Sequence, residues 1–145
     1  MTSLSIDVEV SNQKIQDLLI SAFEGGSNYW IELVDQYKTV FLKQSSKTEI
    51  SEYLSKKAKE IGIDYDSQVS LNYVLPFLDD CFLEIKTIDG TVNILNMETI
   101  LRGLTLMANT PNLSRHFGNI ISGNDDAETA DVFLQLACFG ALIYG

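Results

Sequence analysis

A chain of 145 residues that is 46% hydrophobic and carries a formal net charge of -10 is long enough to bury a core and short enough to need only one, so a single domain is expected. The negative charge disfavours direct binding of DNA or RNA, whose phosphates call for cations, and the longest apolar run, Val132 to Tyr144, is interrupted by Gln135 and is too short to span a bilayer. Neither a basic and then apolar leader nor a cysteine framework is visible, Cys81 and Cys138 being the only two thiols, so a cytoplasmic protein with reduced, buried cysteines is the expectation.

Leu4, Ile6, Val8 and Val10 alternate with Ser5, Asp7 and Glu9, the two-residue period of a strand with one face buried. Ser11 then starts a helix over about Asn12 to Glu24, with Ile15, Leu18, Leu19, Ala22 and Phe23 in one apolar stripe. Gly25 and Gly26 stop it. One glycine is enough for the left-handed residue past a helix end, so the second implies another unusual backbone angle or the close approach of another chain or a ligand. Ser27 and Asn28 are good N-cap residues for a second helix from about Asn28 to Leu42, carrying Trp30, Leu33, Val34, Tyr37 and Phe41 on one face.

Lys43 to Lys47 read as a loop, and Ser46 with Glu49 has the spacing of a capping box. The helix that follows carries Ile50, Tyr53, Leu54, Ala58 and Ile61 and stops at Gly62, leaving Lys56, Lys57 and Lys59 on its solvated side. Asp64 and Asp66 are spaced like the start of a calcium loop that lacks its glycine and closing glutamate, so no metal is expected there. Leu83, Ile85 and Thr87 alternate toward Asp89-Gly90, and Val92 and Ile94 resume beyond it. A two-residue turn would set Ile85 opposite Ile94 and Thr87 opposite Val92, with all four on the buried face of a hairpin.

Asn96 caps a helix lined by Met97, Ile100, Leu101, Leu104 and Met107, Pro111 lies past its end, and Phe117, Ile120 and Ile121 suggest a short helix closed near Gly123. Asp125 and Glu128 then have capping-box spacing, and from Val132 to Phe139 the last helix is apolar nearly all round, which places it centrally. The expected fold is α+β: one compact domain with a small antiparallel sheet, made of the N-terminal strand and the hairpin, and five or six helices around a central C-terminal helix.

Catalytic patterns are sparse. His116 is the sole histidine, no glycine-flanked serine sits between a strand and a helix, and neither the Walker loop nor the dinucleotide glycine pattern occurs. Asp125, Asp126, Glu128 and Asp131 suit the positive end of a helix dipole before they suit a cation. No cofactor is expected. Polar and aromatic groups concentrate instead at the glycine corner, where Glu24, Ser27, Asn28, Tyr29 and Trp30 make a candidate binding rim, with Asp131 and Gln135, one helical turn apart, as its floor. Two readings of these residues stand open: a recognition site, or polar groups that tie the corner to the last helix.

The run Glu24 to Trp30, together with Asp126 to Asp131 and the closing Phe139-Gly140 and Tyr144-Gly145, resembles a family of short phage and prophage proteins with no assigned activity. In that family an acidic residue often follows the glycine before the end, where this chain has Ala141. The resemblance implies a host-cytoplasm setting and no mechanism; taken with the small size and the absence of a catalytic constellation, it leads to the expectation of a non-catalytic protein that sequesters or blocks a host factor, a protein or a small nucleotide-like ligand, with host defence as a target. Self-association is compatible with it. The alternative is a small metal-dependent enzyme acting on a nucleotide through Asp131, Glu24 and a metal ion. The 7 basic and 11 acidic residues up to Asn72, against 3 and 9 from Tyr73 onward, make the second half the more anionic; two readings stand open, a surface charged for solubility and carboxylates that imitate nucleic-acid phosphates, and the dispersal of the acidic residues favours the first.

Overall fold

The computed structural model describes residues 2–66 and 68–145. Its centre is the last helix, α6 (Ala127–Phe139), in which every residue from Thr129 to Cys138 is buried. A helix without a polar face has to be covered on all sides, and α6 is packed by α1 (Asn12–Ser21), α4 (Met97–Asn109), α5 (Ser114–Ser122) and the sheet. The chain forms a single α+β domain with an antiparallel sheet ordered β1 (Ile31–Tyr37), β2 (Phe82–Thr87), β3 (Val92–Leu95). Two further helices, α2 (Val40–Gln44) and α3 (Lys47–Ile61), connect β1 to the middle of the chain, and α3 begins on the Ser46/Glu49 capping box and ends at Gly62 as its sequence requires.

The third strand is not where alternation placed it. Residues 2–10 adopt no regular structure, with Leu4 and Ile6 largely exposed, because alternation gives a segment the shape of a strand but no partner for its backbone groups. The strand is instead Ile31–Tyr37, inside the expected second helix. A bulge between Ile31 and Leu33 explains the misreading. The extra residue, Glu32, sets the inward-facing Ile31 and Val34 three positions apart, a helical spacing, and the apolar stripe read as a helix mixes the inner Val34 with Leu33 and Tyr37 of the outer face.

The hairpin is present with a different register. Its loop holds Ile88, Asp89 and Gly90, closed by the Thr87 and Thr91 pair, so Ile85 faces Asn93 and Lys86 faces Val92. A one-residue slip moves every side chain of a strand to the other face. Asn93 and Leu95 therefore point inward, while Val92 and Ile94 join Leu33, Tyr37 and Phe82 on the outer face, where Val92, Ile94, Leu33 and Tyr37 are exposed.

The glycine corner is a helix that widens before it ends. After α1 the chain makes one π turn, Ala22–Gly26, closed by the Ser27 amide donating to the Ala22 carbonyl at 2.8 Å. Neither glycine takes a positive φ, so the expected left-handed residue is absent. Gly26 is required by close approach: a Cβ there would sit 2.4 Å from the Ala127 carbonyl oxygen, at the start of α6. The neighbour that the second glycine admits is this chain's own central helix.

Candidate functional site

Because Gly26 brings the corner against α6, Ser27, Tyr29 and Trp30 meet the carboxylate of Asp131 one turn into that helix. Oδ1 accepts from the Ser27 hydroxyl at 2.8 Å and the Trp30 indole N–H at 2.7 Å. Oδ2 accepts from the Tyr29 hydroxyl at 2.6 Å and the Gln135 amide at 3.1 Å. Asp131 is only 9% exposed, and a buried carboxylate is tolerated when its oxygens are met by donors. Burial and the Asp131 carboxylate together push the Tyr29 phenol up to about 12, since both oppose a second negative charge.

Gln135 extends the cluster to the segment after α6. Its Oε1 accepts from the Ile143 and Tyr144 amides, each at 2.9 Å, and its Nε2 donates to the Tyr144 carbonyl at 3.2 Å. The Tyr144 ring stacks on Trp30 with centroids 5.6 Å apart and planes 1° from parallel, and its hydroxyl donates to Asp89 at the hairpin tip at 2.6 Å. Residues 141–145 thus lie as a strap over the cluster, held at Trp30, Gln135 and the hairpin.

Of the seven residues proposed from sequence, Ser27, Tyr29, Trp30, Asp131 and Gln135 converge. Glu24 and Asn28 do not. Glu24 is exposed and accepts from the Tyr73 hydroxyl at 3.1 Å, and burial, then the Glu24 charge, pushes that phenol up to about 12. Asn28 projects into solvent. The strap's part was missed, although Tyr144-Gly145 carried a signal: an aromatic next to a glycine just past an apolar helix.

His116, Asp125, Asp126 and the two cysteines lie outside this cluster. His116 is buried with Nδ1 3.0 Å from the Thr129 hydroxyl. Asp125, expected to cap α6, forms an ion pair with Lys14 at 3.0 Å, and the capping passes to Asp126, whose Oδ1 accepts from the Thr129 amide at 2.9 Å. Cys81 and Cys138 are free and buried, and burial pushes the Cys138 thiol up to about 12. Among the described residues no group of three or more His, Cys, Asp or Glu is placed to hold a metal ion, and no helix is long and apolar enough to cross a membrane.

The chain was compared with protein families, curated proteins and solved structures, and none matches.

Proposed function

We propose that this chain is a non-catalytic binding protein of the phage and prophage type, which holds or blocks a host protein in the host cytoplasm. The observation that carries this reading is the saturation of Asp131. With two donors on each oxygen, this carboxylate has no lone pair left to take a substrate proton or a cation, and Glu24 is engaged with Tyr73 elsewhere. The metal-dependent alternative needs both groups free and together. A binding role needs only what the cluster supports on its outside: Tyr29, 50% exposed, its neighbour in sequence Asn28, and the exposed Leu142 and Ile143 of the strap that Gln135 holds. Exposed aromatic and aliphatic side chains held by a rigid polar base suit a protein partner, because little side-chain freedom is lost on binding.

Substitutions on that rim test it without touching the cluster. Asn28→Arg with Ile143→Asp is expected to melt as the parent does and to lose a stoichiometric host protein that the parent captures. An identical capture profile for parent and variant removes the rim from the function. Time-dependent, metal-dependent loss of a nucleotide on incubation with the parent overturns the non-catalytic reading itself.

A further inference from the structure

The shifted hairpin register leaves the outer face of the sheet in three cross-strand rows. Leu33, Lys86 and Val92 form one, Asp35, Glu84 and Ile94 the next, and Tyr37 with Phe82 the third, their rings stacked with centroids 4.7 Å apart. Exposed Ile88 lies beyond Lys86 at the opposite end of β2. Leu33, Tyr37, Val92 and Ile94 are 40 to 53% exposed. An ordinary solvated sheet face alternates polar residues outward, so a face carrying these apolar groups is fit to be covered.

We infer that a second copy of this chain covers it, through a two-fold axis lying between the stacked sheets at right angles to β2. The pattern of charge singles out this occupant. An axis passing midway between the rows of Lys86 and Glu84 sets each Lys86 against Glu84 of the other copy, so one cation and one anion per chain satisfy each other twice. The same operation lays Val92 on Ile94 and brings the Tyr37 and Phe82 pair over Ile88. The same rotation sets Asp35 over Leu33, and the Asp35 carboxylate comes within reach of the same lysine from the neighbouring strand. A surface that is complementary to itself under a two-fold rotation is the requirement of an isologous dimer, and sheets pack face to face in this way about 10 Å apart.

Three strands at about 4.8 Å spacing and six residues at about 3.4 Å make a face of about 15 by 20 Å, below the size of stable protein interfaces, so a weak dimer that dissociates in the high-micromolar range is expected. The net charge of -10 on each copy opposes association, and the experiment is therefore run near physiological salt, where the Debye length is about 8 Å.

Sedimentation equilibrium of the intact chain from micromolar to near-millimolar concentration tests the inference. The parent is expected to dimerise. Ile94→Asp, which sets a carboxylate against Val92, and Lys86→Glu and Glu84→Lys, which set like charges against each other across the axis, are each expected to weaken the dimer at least about tenfold with unchanged melting. Two arms are specific to this axis. The double exchange Lys86→Glu with Glu84→Lys should dimerise again, and a mixture of the two single charge variants should form the mixed dimer, which a misfolded variant cannot do. A parent that stays monomeric, a dimer indifferent to Ile94→Asp, or single variants that fail to pair on mixing would each overturn the proposal. None of these outcomes bears on the rim of Asn28 and Ile143, so the proposed function stands or falls separately.

Discussion

Asp131 shows how much of a small domain rests on one side chain when four donors converge on it. Asp131→Asn replaces one acceptor oxygen by an amide that points hydrogens at hydrogens, leaving buried donors without partners. The expected loss is about 3 kcal/mol, or about 10 °C of melting temperature in a chain of this size. Asn28→Ala, two residues from that cluster's tryptophan in sequence and facing solvent, should change stability by less than about 0.5 kcal/mol. If thermal melting left Asp131→Asn level with the parent, the cluster would not hold the corner. The phenols make a second prediction. Tyr29 and Tyr73 are both pushed from an ordinary 10 to about 12 in the folded chain. A group whose folded value is raised contributes stability that is complete below its unfolded value and lost as pH rises through its folded value. Melting temperature should therefore fall between pH 10 and 12, and Tyr29→Phe with Tyr73→Phe should flatten that fall; an equally steep decline in the double variant would refute the assignment.

At the scale of elements, the sequence was most legible where a single local rule decides. The Ser46/Glu49 box and the Asn96 cap are realised as read, the stripe of α4 buries Ile100, Leu104 and Met107 but leaves Leu101 exposed, and the apolar girth of α6 does place it at the centre. It was illegible where a tertiary choice decides. The bulge at Glu32 gives β1 a helical spacing, and only pairing with β2 reveals it as a strand. Asp89-Gly90 is compatible with loops of two or three residues, and the choice between them turns Val92 and Ile94 from buried to exposed. The candidate site divides in the same way. Asp131 and Gln135 share a face by helical spacing alone, whereas the release of Glu24 to Tyr73 and the arrival of the strap depend on contacts between segments far apart in sequence. The register leaves one residue poorly served. Asn93 points inward in a strand, and its Nδ2 is buried without a hydrogen-bond partner. Replacing it by an apolar group of similar size, Asn93→Leu, removes that unmet donor and should raise stability by about 1 kcal/mol, or about 4 °C. A lower melting temperature would mean that the amide has a partner in solution.

At the scale of the whole molecule, Tyr144 touches three parts of the fold at once: the hairpin tip through Asp89, the corner through the face of Trp30, and α6 through its backbone on Gln135. Its hydroxyl bond is exposed and its ring is half-buried, so the two attachments separate experimentally. Tyr144→Phe removes only the link to Asp89, within about 1 kcal/mol of the parent. Tyr144→Ala removes the stack as well and opens the cluster to water, costing roughly 2 to 3 kcal/mol, less than a fully buried aromatic because part of the ring already faces solvent. Trp30 is the chain's only tryptophan and is fully buried, which supplies a readout at the point of contact. In Tyr144→Ala its fluorescence should move to longer wavelength under native conditions, while Tyr144→Phe should retain the parent spectrum. An unchanged spectrum in the alanine variant, with the parent's melting temperature, would mean that the strap lies on the cluster without closing it, and Gln135 would then hold a segment on which the fold does not depend.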